Sequence, residues 1–287
     1  MTTSTLLPNI CFRPKGQLLK WVGNKFNYAE EIVSYFPLEY NKYIEPFVGT
    51  GAVLATFCPR EAIAGDTLLP LIEIWDFVRQ CPEKLVEHYR VNIARLNCNR
   101  EKTYNTIIER YNNHPNGLDL SILSRTCYGG VVRFTKEGKM STPMGPHKPI
   151  SANSFGERVY EWRERVEKVK FLHATFESTM SLAEKGDIVY CDPPYIDSQS
   201  ILYGSQKFNF NELIRQIQIC KQKGASVVLS IDGRKKSGGK EIKVETPHHL
   251  FEREIFLDCG SSMLRRFQNG GKIMVGEDVH DRLLLTW

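Results

Sequence analysis

Apolar and polar positions change rhythm three times along the chain. Residues 41–74, NKYIEPFVGTGAVLATFCPREAIAGDTLLPLIEI, open with a short mixed strand pattern, turn through glycines and continue in small apolar residues suited to a helix. EAIAGD then predicts a second strand, whose apolar centre ends in Asp66 before a helix pattern from about Leu69 to Arg79. This is a βαβ unit with an acid at the end of its second strand. Residues from about 82 to 165 differ in texture: helix-like VEHYRVNIARL and YNTIIERYNN lead into CYGGVVRFTKEGKMSTPMGPHKPIS, whose glycines, prolines and lysines predict hairpins and loops. The βα rhythm resumes with KVKFLHATF, GDIVYCDPPY, the helix-like NFNELIRQIQICKQKG and the buried-strand candidate ASVVLSI; REIFLDC and DRLLLTW close the chain as strands. Strands alternating with helices on both sides of an inserted segment predict an open α/β sheet interrupted by a second domain.

Composition narrows the class. The chain has 287 residues, 41% of them apolar and 25% charged, enough for a real core and far from a disordered composition. No run approaches the roughly 18 apolar residues of a membrane span, and MTTSTLLPNICFRPKG lacks a basic start followed by an apolar stretch. A soluble, cytoplasmic protein without membrane association is therefore expected. Its eight cysteines are scattered singly with no CxxC pair, which reads as reduced thiols. Histidines form no HxxxH or HxH pairing, and His248-His249 has no further ligands nearby, so no metal is expected. The net charge of +5 permits a polyanionic partner without demanding one. Basic residues cluster at Arg234-Lys235-Lys236 with Lys240, at Arg265-Arg266, and around Arg133, Lys136, Lys139 and Lys148, each of which could equally be a solvated face.

Three segments carry candidate chemistry. In EPFVGTGAV, Gly49 and Gly51 allow a strand-to-helix turn to pass close to a ligand, although Leu54 stands at the third glycine position of the dinucleotide fingerprint and argues against a nicotinamide cofactor. Asp66 could accept hydrogen bonds from both ribose hydroxyls of an adenosine cofactor, or cap a helix. In GDIVYCDPPY, two prolines stiffen the chain leaving the strand and supply no N–H donors. They present the Asp192 carboxylate and the Pro193 carbonyl as acceptors beside the ring of Tyr195, an arrangement that suits a planar amino group. Accepting both N–H bonds draws the nitrogen lone pair out of conjugation while the aromatic face stacks on the ring. In LLKWVGNKF, Trp21 could stack on an adenine or cap an apolar surface; Lys20 and Lys25 could contact phosphate and a cofactor carboxylate, or simply be exposed.

KWVGNK, EPFVGTGAV, the strand-end Asp66 and CDPPY, in that order, resemble the DNA adenine-N6 methyltransferases of the Dam type. The likeness spans nearly the whole chain: CYGGVVRFTKEGKMSTPMG resembles the family's DNA-reading hairpin, and SMLRRF with DRLLLTW its C-terminal hairpin. It implies a Rossmann-like S-adenosylmethionine-dependent methyltransferase sheet with an inserted, mainly helical target-recognition domain carrying a β-hairpin. Residues 1–78 and 160–287 would form the catalytic domain and 79–159 the target-recognition domain. Trp21, Lys25, Asp66 and Asp192 would contact S-adenosylmethionine, with Phe47, Gly49 and Gly51 lining the cofactor loop; Asp192, Pro193, Pro194 and Tyr195 would hold the target adenine. Lys20, Arg133, Pro143 and His147 would contact DNA, Arg133 at a base, since an arginine can read guanine O6 and N7. Gly129 stands where GATC-reading relatives carry Asn, and His147 where they carry Tyr.

The implied reaction flips an adenine from duplex DNA, stacks it on Tyr195 and methylates N6; no metal is needed, because a sulfonium is already a good leaving group. The implied enzyme is a monomer or weak dimer, solitary or beside a companion restriction endonuclease. RNA bases or a protein glutamine amide are rival acceptors for such a site, but the inserted segment suits groove reading in duplex DNA. A degenerate, non-catalytic DNA-binding scaffold is opposed by intact Asp66, Asp192 and Tyr195.

Overall fold

The apolar strand segments form a sheet buried on both faces in the computed structural model, which describes residues 12–194, 208–232, 235–237, 240–242, 246–247, 249–258 and 280–287. Strands β1 (Tyr43–Glu45), β2 (Ala62–Asp66), β3 (Val169–His173), β4 (Ile188–Cys191) and β5 (Ser226–Asp232) run parallel. A short separate pair, β6 (Lys235–Ser237) and β7 (Lys240–Ile242), follows. β8 (Arg253–Asp258) and β9 (His280–Leu285) complete the main sheet, whose order is β3-β2-β1-β4-β5-β9-β8 with β9 antiparallel to both neighbours. This is the expected open α/β sheet. DRLLLTW thus pairs with REIFLD, while SMLRRF, Arg234, Arg265 and Arg266 lie outside the described residues.

Successive side chains point to opposite faces, so Tyr43, Ile188, Tyr190 and Val228 enter one core and Ile44, Val189, Cys191, Val227 and Leu229 the other. Because helices cover both faces, these strands read as continuous apolar runs rather than as an apolar–polar alternation. Helix α1 (Ala29–Ser34), α2 (Ala52–Phe57), α3 (Leu69–Gln80) and α7 (Ala152–Val166) contribute to the first core, and α8 (Phe176–Met180) and α9 (Phe210–Gln222) to the second. Among the described residues no helix is long and apolar enough to cross a membrane.

Between α3 and α7 lie α4 (Pro82–Cys98), α5 (Arg100–Asn113) and α6 (Gly117–Thr126). Their boundaries follow local chemistry. Pro82 opens α4 where no N–H is needed, and Asn99 and Asn116 cap α5 and α6 by accepting from the amides of Lys102 and Asp119. The hairpin expected after α6 is reduced to a 3₁₀ turn at Tyr128–Gly130 and two isolated bridges, Cys127 with Met144 and Phe134 with Met140. Pro143 and Pro146 bring no donors, and Gly129 and Gly130 have positive φ, so a regular ladder cannot form. Helices α3 and α7 run across the two junctions expected at 78/79 and 159/160.

Candidate active site

Three adjacent parallel strands, β2, β1 and β4, end at one edge in acids: Asp66 closes β2, Glu45 closes β1, and Asp192 follows Cys191 directly. This edge is also where the strand order reverses, with β2 and β3 on one side of β1 and β4 and β5 on the other, so the connecting loops part and leave a crevice. A cavity of about 480 Å³ lies there, lined by residues that include Trp21, Lys25, Glu45, Phe47, Gly49 and Asp66, and by Asp192, Pro193 and Pro194. Phe176 and Phe208 also line it. Phe47 stacks on Phe176 at 5.3 Å between ring centres, and Phe208 meets both edge-on, giving the cavity an aromatic wall.

The glycine loop divides its two glycines between different tasks. Both have left-handed φ, +47° at Gly49 and +62° at Gly51. At Gly51 a Cβ would come 3.1 Å from the Trp75 ring, which is itself stacked against Trp162 and Phe171, so this glycine admits a packed indole behind the loop. At Gly49 a Cβ would meet nothing nearer than the Phe47 carbonyl at 4.0 Å; the space beside it belongs to the cavity. The loop is held from both ends: Trp75 Nε1 donates to the Gly49 carbonyl at 3.0 Å, and the Gly49 amide donates to Asp66 Oδ2 at 3.2 Å. Asp66 Oδ1 accepts from the Leu68 amide at 3.0 Å, so this buried carboxylate ties the loop to the start of α3.

Lys25 supplies the balancing charge. It is 4% exposed, and its Nζ lies 2.8 Å from Asp192 Oδ1 and 3.5 Å from Asp281 Oδ2 on β9. Burial alone would push the Lys25 pKa down, but the neighbouring Asp192 and Asp281 carboxylates outweigh it and hold the ammonium well above the usual lysine range. Glu45 moves the opposite way from an ordinary surface carboxylate. Burial drives its pKa well up and the Asp192 charge adds to this, against the hydrogen bond that Tyr43 Oη donates to Glu45 Oε2 at 2.7 Å.

A family model for the D12 class N6 adenine-specific DNA methyltransferase matches residues 21–257. The chain belongs to this family. The chain is also similar to a DNA adenine methylase of Haemophilus influenzae, 27% identical over 79% of this chain and 82% of its own. Another relative is the type II methyltransferase M1.LlaDCHI of Lactococcus lactis, 27% identical over 74% of this chain and 79% of its own. The retron Ec67 DNA adenine methylase of Escherichia coli is 31% identical over 62% of this chain and 63% of its own.

In this D12-class enzyme the residues singled out for a cofactor or a target base converge on one cavity, except Gly51, which stands behind it, and Tyr195, which lies outside the described residues. Lys25 is buried and ion-paired rather than exposed, whereas Lys20 is exposed. Lys20 packs against the turn after α6: a Cβ on Gly130 would come 2.7 Å from Lys20 Cβ. Arg133, Pro143 and His147 are likewise exposed on the segment that follows that turn. Sequence reasoning missed Glu45, Phe176, Phe208 and Asp281. Glu45 carried the same signal as Asp66, an acid at the end of a parallel strand; Asp281 carried none, because nothing local marks the strand that will lie within reach of Lys25. Among the described residues no group of three or more His, Cys, Asp or Glu side chains is placed to hold a metal ion.

Proposed function

We propose that the cavity binds S-adenosylmethionine and an extrahelical adenine together, and that the enzyme methylates N6 of that adenine within a short duplex DNA sequence. The observation that carries this reading is the juxtaposition of Asp192 and Pro193 with the Gly49 loop and Asp66 in one cavity. The donor set fits the cofactor: space is left where Gly49 lacks a Cβ, a buried acid stands at the β2 end for ribose hydroxyls, an aromatic wall suits an adenine, and strand-end carboxylates suit a cationic ligand. S-adenosylmethionine, when bound, supplies an electrophilic methyl group. Asp192 and the Pro193 carbonyl accept the two N–H bonds of the target amino group, Tyr195 stacks on its ring, and the Lys25 ion pair holds Asp192 in place. Gly51 supports the loop from behind.

Residues 79–159 act as the target-recognition part and 1–78 with 160–287 as the catalytic part. Lys20, Arg133, Pro143 and His147 face double-stranded DNA, and their exposure supports this. Gly129 and His147, standing where GATC-reading relatives carry Asn and Tyr, weigh against a GATC target. The enzyme works in the cytoplasm as a monomer or weak dimer, and the similarity to a type II methyltransferase suits a role beside a companion restriction endonuclease. The test is base-modification sequencing of unmethylated plasmid after incubation with purified protein and S-adenosylmethionine. N6-methyladenine confined to one short motif is expected. An unmodified plasmid with a cofactor-binding protein would move the acceptor to RNA or protein.

A further inference from the structure

Helix α5 presents Arg100, Tyr104 and Asn112 within an arc of about 120°, at 100° per residue. All three hold one neighbouring segment by its main chain. Asn112 makes a two-way amide contact with Met140, donating from Nδ2 to the carbonyl at 3.0 Å and accepting from the amide at 2.7 Å. Tyr104 Oη donates to the Thr142 carbonyl at 2.7 Å. The Arg100 guanidinium closes on three successive carbonyls, those of Gly145 at 2.9 Å, Pro146 at 2.8 Å and His147.

What this grip fixes is backbone, and what it leaves free is side chain. Met140, Thr142 and Gly145 are buried against the helices, while Ser141, Pro143, Pro146 and His147 face outward. Gly145 passes so close to the Cys127 carbonyl that a Cβ would come within 2.8 Å of it. Thr142 carries the register across to the opposite limb: its Oγ1 donates to the Val131 carbonyl at 2.6 Å and accepts from the Arg133 amide at 3.0 Å. Sliding residues 140–147 along α5 would therefore re-aim Arg133 as well as Pro143 and His147.

We propose that α5 is the rail that sets which bases this segment can read, and that Arg100 and Tyr104 are specificity-determining positioning residues that need not touch DNA. The inference rests on reading residues 127–148 as the DNA-reading segment. A bidentate arginine–base contact discriminates between bases by roughly five- to 150-fold and demands near-ideal hydrogen-bond geometry, so loosening the rail degrades selectivity before it degrades methyl transfer. It also makes the outward side chains exchangeable without refolding the segment.

The experiment compares the full-length protein with Arg100→Lys and Tyr104→Phe on a plasmid library, reading every modified adenine by sequencing. Lysine keeps the charge but offers no fork for three carbonyls; phenylalanine keeps the ring and loses only the hydroxyl. Each variant is expected to lower the ratio of methylation at the preferred motif to that at single-substituted motifs, about tenfold for Arg100→Lys and about threefold for Tyr104→Phe. Cofactor affinity should stay within about twofold, and the salt dependence of DNA binding should not change, because no phosphate contact is lost. Wild-type selectivity in folded Tyr104→Phe would overturn the proposal. So would a fall in the Arg100→Lys salt slope with selectivity intact, which would mark a phosphate contact instead. If the unaltered protein modified no adenine, the functional reading itself would fail.

Discussion

Replacing Lys25 by methionine keeps most of the side-chain volume and removes one charge from the most heavily charged part of the cavity. The ammonium is 4% exposed and serves two carboxylates, Asp192 at 2.8 Å and Asp281 at 3.5 Å, with buried Glu45 nearby. Removing one partner of a buried ion pair costs about 3–5 kcal/mol, because the other charge is left uncompensated. Here the Asp192 and Asp281 side chains retain 19% and 11% exposure, so water recovers part of the loss and the lower end, about 3 kcal/mol, is expected. Urea unfolding with linear extrapolation measures this directly. Lys25→Met/Asp192→Asn should recover about 2 kcal/mol relative to the sum of the single variants, since the second change removes a stranded charge. A raised lysine pKa contributes stability that is complete below the free value of 10.5 and is lost only as pH rises through the higher folded value. The deficit should therefore be flat between about pH 6 and 9. A Lys25→Met protein within about 0.5 kcal/mol of wild type, or strict additivity in the double variant, would refute the reasoning.

Asp192→Ala should lower methyl transfer at least about a hundredfold in a tritium-transfer assay while DNA affinity changes little, because the lost acceptor acts on the reacting amine; near-normal turnover would remove Asp192 from the chemistry. Both loop glycines should lose about 1–2 kcal/mol of stability as alanine, because both have left-handed φ, and Gly51→Ala should lose more against the stacked Trp75; Gly49→Ala alone should weaken S-adenosylmethionine binding, about tenfold, a split that calorimetry and thermal unfolding can check. The raised Glu45 pKa means that the folded state holds its proton where the unfolded state has released it, so this group's contribution is present below about 4.5 and lost as pH rises through the folded value. Glu45→Gln should accordingly gain on wild type as pH climbs above about 4.5 in a pH series of unfolding curves, and a constant difference would contradict it.

Much of this molecule is legible in its sequence alone. The βα rhythm, the helical insert between EAIAGD and KVKFLHATF, and the acids Asp66 and Asp192 at strand ends depend on short-range periodicity, which a reader can follow residue by residue. The order of the motifs KWVGNK, EPFVGTGAV and CDPPY was sufficient to point to the family. Glu45 could have joined the candidate site by the rule that selected Asp66.

Other features exist only in three dimensions. Two glycines with the same backbone strain differ in function because Trp75, from α3 beyond the second strand, fills the space behind one and leaves the other facing the cavity. Lys25 reads as a surface lysine until Asp192 from the end of β4 and Asp281 from β9 lie beside it. Likewise the polar stripe on α5 looks like an exposed helix face until residues 140–147 lie against it. In each case the decisive contact joins residues far apart in the chain. Periodicity selects helix or strand and the face that will be buried, but it carries no information about which remote element covers that face; strand order and packing decide that.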